Sequence, residues 1–240
     1  MLRYLPLLIL MSSLAGLVCA ADDKPAALSE DEQKAGWKLV FDGVSTKGWR
    51  GLGRKEFPAQ GWEVADGCLH HKAKGGGGDI TPNEPYENFE LSIEWKVAKS
   101  ANSGIKYRVA ESPNSTSAFG CEYQILDDEH AAEGKSKGGK VSTGSLYELF
   151  APNDRKKVKP TGEFNQTRIL VQGDHGEHSL NGEKILEFEF NSDAWKAAVA
   201  QSKFRSSPTF GQTKKGQIAL QDHGDEVWYR NIKIRELPAK

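Results

Sequence analysis

The stretch FELSIEWKV, residues 89–97, decides the fold class. Its apolar side chains stand at every second position from Phe89 to Val97, and Glu, Ser and Lys residues occupy the positions between them. Successive side chains of a β-strand point to opposite faces, so this period of two predicts a strand with one face in a core and one in water.

The same period recurs along the chain. It is present in GIKYRV (104–109), CEYQIL (121–126), TRILVQG (167–173), QIALQDH (217–223) and WYRNIKIREL (228–237). In HSLNGEKILEFEF (178–190), the pair Asn181-Gly182 between two apolar runs indicates a type I′ hairpin. Many short strands separated by turns predict an all-β fold, an antiparallel β-sandwich.

Two short helices are expected beside the strands. Ser29 and Glu32 have the spacing of a capping box, which predicts a helix near the N-terminus. Ser192 or Asp193 can cap a second helix in DAWKAAVAQSKF, residues 193–204.

The first 20 residues have the pattern of a secretory signal peptide. Arg3 gives the positive start, residues 5–18 the apolar run, and Val18-Cys19-Ala20 a small-residue cleavage site. A membrane anchor is the alternative, but Ser12-Ser13 interrupt a run shorter than the roughly 20 apolar residues that a span requires. We therefore expect export to the periplasm or the extracellular space, with no membrane span.

Behind the signal peptide, residues 21–36 form an N-terminal segment with a short helix, and residues 37–240 are expected to form one β-sandwich domain. The 240-residue chain is 38% hydrophobic, which is enough for one sizeable core. Its 32 basic and 33 acidic residues nearly balance, so neither nucleic acid nor an anionic membrane is an expected partner. The oligomeric state is left open.

Two cysteines remain once the signal peptide is removed. Cys68 and Cys121 each lie in a strand-like segment. A disulfide between them would persist in an oxidising compartment, and two buried unpaired thiols are the alternative. The sequence leaves both open.

Polar residues opposite the apolar side chains of three predicted strands suggest a site. They are Lys106 and Arg108, Glu122 and Gln124, and Gln217, Gln221 and His223. If these strands are neighbours in a concave sheet, their polar side chains converge in one hollow. An ordinary solvated face is the alternative for each strand.

The segment CEYQILDDEH, residues 121–130, places Glu122, Gln124 and Asp127 close together. In a regular strand Glu122 and Asp127 point to opposite faces, so they share a face only if a β-bulge extrudes one residue. With such a bulge the spacing is similar to the E-x-D-x-x-E of jelly-roll glycosidases, whose two carboxylates lie about 5 Å apart. Here the central acid is replaced by Gln124.

The loop GGGGDI, residues 75–80, ends in a carboxylate. Asp79 is a candidate ligand for a sugar hydroxyl, and a plain mobile loop is the alternative. No lysine follows at the spacing of a phosphate-binding loop.

Two acidic clusters are candidates for a divalent metal ion. They are Asp127, Asp128 and His130, and Asp222, His223 and Asp225. Neither has the HExxH or CxxC spacing of a strong zinc site, and acidic turns account for both without an ion. A metal cofactor is therefore a hypothesis and not a requirement.

The order and spacing of many segments resemble the 3-keto-disaccharide hydrolase domain family, with its concanavalin A-like jelly-roll fold. The matching segments include LVFDGVSTKGW (39–49), GWEVADGCL (61–69), YENFELSIEWKV (86–97), NSGIKYRV (102–109), EYQILDDEH (122–130), GSLYELFAP (144–152), SKF (202–204) and IALQDHGDEVWYRNIKIREL (218–237). Two positions depart from the family pattern: Ala131-Ala132 stand where Pro-Asp is usual, and Gln217 where His is common.

The resemblance implies an enzyme that cleaves glycosides whose C3 hydroxyl has been oxidised to a ketone. The ketone acidifies the C2 proton, so one base can remove it, and the enolate expels the group at C1, with elimination or net hydrolysis. The roles implied for single residues are Glu122 or His223 as base, Lys106, Arg108 or a metal at the ketone, Asp127 or His130 as proton donor, and Gln124, Tyr147 and Gln221 at sugar hydroxyls.

Two other functions stay open at this point. Concanavalin A-like folds also include non-catalytic carbohydrate-binding modules, in which Trp49, Trp62 and Trp228 would stack on sugars unless they belong to the core. An ordinary retaining β-glycosidase would act on unoxidised substrate.

Overall fold

The computed structural model of the chain describes residues 26–113, 115, 118–207 and 209–239. The predicted signal peptide, residues 1–20, lies outside the described residues. Within the described ranges, no helix is both long enough and apolar enough to cross a membrane.

Strands dominate the described part of the chain. They are β1 (Lys38–Leu39), β2 (Trp49–Gly51), β3 (Trp62–Ala65), β4 (Cys68–His71), β5 (Ile80–Pro82), β6 (Phe89–Val97), β7 (Asn102–Val109), β8 (Cys121–Leu126), β9 (Asn165–Gln172), β10 (His175–Leu180), β11 (Glu183–Glu189), β12 (Gln217–Leu220) and β13 (Val227–Glu236). The helices are α1 (Glu30–Lys34) and α2 (Asp193–Gln201), with 3₁₀ turns at Ala132–Lys135 and Lys137–Gly139.

The strands form two antiparallel sheets. One has the order β11-β10-β9-β6-β13-β4-β3, with β1 also pairing with β13. The other has the order β2-β5-β12-β7-β8. The predicted all-β jelly-roll sandwich is therefore confirmed.

Large aromatic residues from both sheets fill the core. Trp95, Tyr107, Tyr123 and Tyr229 are fully buried. Their polar atoms find partners there, because a buried N–H or O–H without a hydrogen bond is costly. Trp95 Nε1 donates to Thr167 Oγ1 at 2.8 Å, and Tyr107 O–H lies 2.8 Å from His178 Nε2.

The stretch that predicted the fold is strand β6, and its bounds are those of the quoted stretch. Two of its polar residues depart from the expected wet face, because Glu90 and Ser92 are buried. Arg168 on β9 and Arg235 on β13 both pair with the Glu90 carboxylate. Charge pairing across three strands therefore replaces the water that the alternation predicts on that side.

The predicted turn and helix starts are also present. Asn181 and Gly182 both have positive φ, 51° and 90°, as a type I′ hairpin requires between β10 and β11. Ser29 and Glu32 form the reciprocal capping box of α1. Ser192 caps α2 by accepting from the Trp195 N–H at 3.1 Å.

Cys68 and Cys121 are both buried and unpaired. Of the two alternatives that the sequence leaves open, the structure has the free thiols. Burial raises the pKa of the Cys121 thiol to about 12, so it stays protonated and unreactive at neutral pH.

Candidate active site

A cavity of about 420 Å³ lies on the face of the five-stranded sheet that is turned away from the core. This volume falls within the roughly 300–1,000 Å³ of small-molecule sites. The residues that line it are Asn102, Lys106, Ala118, Phe119, Gly120, Glu122, Gln124, Tyr147, Lys203, Phe204, Ser207, Gln221 and His223.

Strands β7 and β8 make the polar floor of the cavity. Lys106 on β7 is the cross-strand partner of Glu122 on β8, and Gly104 is the partner of Gln124. Because side chains alternate along a strand, these polar residues share one face while Tyr107 and Tyr123 enter the core.

The structure brings together six of the residues that the sequence singled out. Lys106, Glu122, Gln124, Tyr147, Gln221 and His223 all line the same cavity. Their convergence was predicted from the polar sides of neighbouring strands, and from the resemblance for Tyr147. The roles assigned to them stay predictions.

Glu122 is a partly buried carboxylate on the cavity floor. Among the described residues, no hydrogen bond reaches its side chain. Burial raises the pKa of Glu122 to about 7, the charge of Asp79 adds to the rise, and the ammonium groups of Lys106 and Lys203 limit it. A carboxylate in this state is a stronger base than an ordinary one.

Asp79 binds Lys106 and two backbone N–H groups beside the cavity. The Lys106 ammonium lies 3.4 Å from Asp79 Oδ2 and donates to the Ala118 carbonyl at 3.1 Å. The same carboxylate accepts from the N–H groups of Ala118 at 2.8 Å and Asp222 at 3.0 Å. Asp79 is itself buried and does not line the cavity, so the structure places it as a support and not beside a bound sugar.

Lys203, just after α2, is a cavity residue that the sequence reasoning did not select. Its ammonium lies over the Tyr147 ring at 4.2 Å and near the Phe204 ring at 5.3 Å. Within the described ranges it has no hydrogen bond or ion pair. Burial lowers the pKa of Lys203, and the negative charges of Glu122 and Glu148 partly oppose this change. Only its place in the SKF segment pointed to it.

Tyr147 and two amides supply hydrogen-bonding groups. Burial raises the pKa of Tyr147 to about 12, with the Glu122 charge as the next cause, so its phenol stays protonated. Gln124 donates to Asn102 Oδ1 at 3.1 Å. Among the residues that the structure describes, the buried side-chain oxygens of Gln124 and Gln221 have no hydrogen-bond partner, which costs about 1–3 kcal/mol each until a donor arrives.

Arg108 does not join the cavity, and the expected alternation fails there. Lys106 pairs with Ala219 and Val109 with Gln217, so β7 has one more residue than β12 across this interval. At this bulge Arg108 has a φ of 52°. Its guanidinium lies over the Phe190 ring at 3.6 Å and donates to the Gly173 carbonyl.

Asp127 and His130 also lie outside the cavity lining. Strand β8 is regular through Leu126, so the bulge that would bring Asp127 beside Glu122 is not there. Asp127 instead accepts from the Ser100 N–H at 2.7 Å and pairs with His130 Nδ1 at 2.9 Å. These contacts end the strand and shape its loop, and the glycosidase-like spacing therefore has no structural counterpart.

Gln217 lies away from the cavity as well. The Thr81 hydroxyl lies 3.0 Å from its side chain, and Gln217 is buried at the β12–β5 pair. His223, by contrast, is about half exposed and lines both the cavity and a smaller hollow shared with His130. Its Nδ1 is 4.0 Å from Asp225 Oδ2.

The carboxylates proposed for a metal ion are occupied by donors of the chain. Asp128 pairs with Lys156 at 2.9 Å, and Asp222 pairs with His71 at 3.0 Å. Asp225 accepts from the Asn102 N–H at 2.9 Å. In the described part of the chain, one other group of three, His175, Glu177 and Glu187, has ligand atoms within 4.8 Å of one another, and it lies on β10 and β11 outside the cavity.

Two of the three tryptophans considered for sugar stacking are in the core. Trp49 and Trp62 are buried, and their indole N–H groups donate to the Val40 and Gly78 carbonyls. Trp228 is partly exposed but stacks on His70 at 4.7 Å, with the Lys96 ammonium 4.5 Å from its ring. None of the three lines the cavity.

Fold and site together define a jelly-roll protein with a polar small-molecule cavity on one sheet. More particularly, the chain belongs to the family of 3-keto-alpha-glucoside-1,2-lyase-like domains, which matches residues 36–235. The recognition of this family from the sequence is therefore confirmed.

Individual relatives agree with this assignment. The chain is 33% identical to a 3-keto-disaccharide hydrolase from Bacteroides thetaiotaomicron, over 84% of this chain and 79% of that protein. It is similar to a crystal structure of a candidate glycosyl hydrolase from Parabacteroides distasonis, with a TM-score of 0.79 and 33% identity over 90% of this chain and 100% of the other. A second structure from the same species has a TM-score of 0.60 and 27% identity, over 84% and 99% of the two chains.

Proposed function

We propose that the protein is an exported enzyme that cleaves the glycosidic bond of 3-keto-glycosides. The observation that carries the proposal is the number of carboxylates in the cavity. Among the described residues that line it, Glu122 is the one carboxylate. Ordinary glycosidases place two carboxyl groups at the scissile bond. Elimination from a ketone needs one base, and the family and the named relative support that chemistry.

The reaction begins with a proton transfer. Glu122 takes the proton from C2, and the C2–H electron pair moves to C2–C3 as the C3 carbonyl becomes an enolate. The enolate then reforms the ketone and expels the oxygen at C1, leaving a C1–C2 double bond. Addition of water across this bond gives net hydrolysis, and no oxidant is consumed.

A base with a pKa near the working pH suits the first step. At pH 7 a carboxyl with a pKa of about 7 is half ionised, and it accepts a proton more readily than an ordinary glutamate does. Burial thus gives Glu122 the property that proton abstraction from carbon requires.

Lys203 is the proposed stabiliser of the enolate oxygen. Its ammonium group makes cation–π contacts with the Tyr147 and Phe204 rings. Among the described residues, no ion pair neutralises its charge. Lys106, the candidate from the sequence, is already engaged by Asp79 and the Ala118 carbonyl. We therefore propose that Lys106 limits the rise in the pKa of Glu122 and that Lys203 stabilises the oxygen of the ketone as it becomes an enolate.

Tyr147, Gln124 and Gln221 are proposed to bind sugar hydroxyls. The phenol supplies a donor, and each of the two amide oxygens, which have no partner within the described ranges, accepts one hydroxyl proton. His223 stands at the half-exposed side of the cavity and is proposed to protonate the leaving oxygen. No step here is assigned to Arg108, Asp127 or His130, because they lie outside the cavity lining.

The test is incubation of the purified protein with a 3-keto-disaccharide and, in parallel, with the same disaccharide unoxidised. We expect sugar release from the ketone alone, together with a primary isotope effect when C2 carries deuterium. Release from the unoxidised substrate would favour an ordinary glycosidase. Binding of both sugars with release from neither would favour the carbohydrate-binding module.

Export is part of the same proposal and rests on the signal-like residues 1–20. Expression of the full chain should yield a product in the periplasm or the medium that begins near Ala21. A product that keeps residues 1–20 and stays in the cytoplasm would contradict it.

A further inference from the structure

Phe119 is a large apolar residue at the surface, with 43% of it exposed. A single exposed apolar side chain is common and needs no explanation by itself. Phe119, however, lines the same cavity as Glu122. Part of its surface therefore faces the space that a substrate would occupy.

The ring of Phe119 is held in place by two others. Phe204 and Phe210 contact it edge-on, with centroids at 6.2 and 5.7 Å, and they stack on each other at 3.9 Å. An aromatic ring supported by others loses little conformational entropy when a ligand stacks on it.

Gly120 fixes the backbone beside this ring. A Cβ at position 120 would stand 2.6 Å from the Tyr107 carbonyl oxygen, so the chain approaches β7 more closely than any other residue allows. Phe119 is thereby placed just before β8, three residues ahead of Glu122.

The cavity consequently has lining residues of two chemical kinds. Its floor is formed by Lys106, Glu122 and Gln124, which suit a polar sugar carrying the ketone. Phe119 and Phe204 add two neighbouring aromatic rings to the lining. A glycoside has the same division when its reacting sugar is bound by hydrogen bonds and its leaving group presents a flat apolar face.

We infer that Phe119 forms the binding site for the leaving group, and that it takes a ring with an apolar face, either a phenol ring or a second pyranose. This inference rests on the proposed function, which places the reacting sugar at Glu122 and thereby the leaving group at Phe119. The supporting Phe204 and Phe210 are positioning residues for the ring.

The kinetic test compares Phe119→Ala with the unchanged protein on methyl, phenyl and glucosyl 3-keto-glucosides. Each substrate is compared with itself, so differences in leaving-group acidity cancel. We expect kcat/KM to fall roughly 3- to 10-fold for the phenyl and glucosyl substrates, mainly through KM, and to change less than about 2-fold for the methyl substrate. Phe119→Tyr should keep most of the activity.

The three substrates also separate the two sources of the ring. A loss confined to the phenyl substrate assigns the site to phenolic glycosides, and a loss confined to the glucosyl substrate assigns it to disaccharides. An equal loss on all three substrates, methyl included, would overturn the inference. Val44→Ala is the matched control, because Val44 is a 57% exposed apolar residue outside the cavity.

A binding measurement keeps the test independent of turnover. Unoxidised phenyl glucoside should bind the unchanged protein more tightly than methyl glucoside by calorimetry, and Phe119→Ala should remove that difference while leaving the melting temperature within about 2 °C. Equal affinities of the unchanged protein for phenyl and methyl glucoside would contradict the proposed leaving-group site. If no ketone is turned over, the proposed function fails, and this measurement still decides the site.

Discussion

The carboxylate of Glu122 lies over the backbone of Gly104 on the neighbouring strand. A Cβ at position 104 would come within 2.3 Å of Glu122 Oε1 and 2.9 Å of its carboxyl carbon. Glycine at 104 therefore makes the room in which the proposed base is held. The atoms that a methyl group would meet belong to a flexible side chain, so the fold can adapt while the base moves.

Gly104→Ala should therefore reduce turnover with little loss of stability. A displacement of about 1 Å at a reacting group can cost on the order of 100-fold in rate. We expect a decrease of 10- to 100-fold in kcat, roughly, and an unfolding midpoint in urea that is nearly unchanged.

The cause can be checked with a double mutant. If Gly104→Ala acts through the carboxylate, adding it to Glu122→Gln should change the rate no further. Additive losses would show that the glycine acts by another route.

Glu122→Gln should lower kcat by about 100-fold or more, because the variant has no base to accept the C2 proton. The unchanged protein should show kcat/KM rising through a pKa of about 7, since only the ionised carboxylate abstracts the proton. The variant should lose this rise. Glu87→Gln, the same change at an exposed surface position, is the control.

The same substitution should raise the stability of the protein at alkaline pH. Folding raises the pKa of Glu122 from an ordinary 4.5 to about 7, so the folded state binds this proton more tightly than the unfolded state. The contribution of Glu122 to the free energy of unfolding must then fall as the pH rises from about 4.5 to about 7. Glu122→Gln removes that loss.

Urea unfolding at pH 5 and pH 8 measures the difference. We expect the variant to gain roughly 1–3 kcal/mol over the unchanged protein at pH 8, and much less at pH 5. A constant difference at both pH values would mean that the carboxyl titrates normally.

Lys203→Met should decrease kcat by roughly 100- to 1,000-fold if Lys203 stabilises the enolate. Methionine keeps a flexible apolar stem beside Tyr147, so packing should persist. Removing this cation also removes a charge that holds the pKa of Glu122 down, and the rise of kcat/KM should move to higher pH. Lys196→Met, at an exposed position on α2, should leave the profile unchanged.

Lys106→Met should act on stability more than Lys203→Met does. It leaves the buried Asp79 carboxylate without its ammonium partner, and breaking a buried pair costs about 3–5 kcal/mol. Asp79→Asn in the same chain should restore part of this loss, as measured by urea unfolding. No loss in the single variant would show that the pair is solvated.

Alternation predicted the fold and much of the cavity floor. It placed Lys106, Glu122 and Gln124 on one face, because each lies in a strand segment without an extra residue. It failed for Arg108, where a single inserted residue turns the side chain away. Whether a strand carries such an insertion depends on its partner strand, which a pattern within one segment does not contain.

Three further cavity residues come from segments without a period. Lys203 and Phe204 follow α2, and Phe119 precedes β8. Their positions depend on how those segments pack over the five-stranded sheet. The sequence offered no physical signal for them beyond the resemblance of the SKF segment.

The contacts of Arg108 have a consequence for engineering. Its guanidinium donates to the Gly211 carbonyl, which follows α2, and to the Gly173 carbonyl between β9 and β10, so it contacts both segments through main-chain atoms. A contact of this kind does not depend on which side chains the segment after α2 carries. Position 207 lines the cavity without a part in the proposed reaction, so substitutions of Ser207 could change the range of accepted glycosides while the backbone of this segment stays in place.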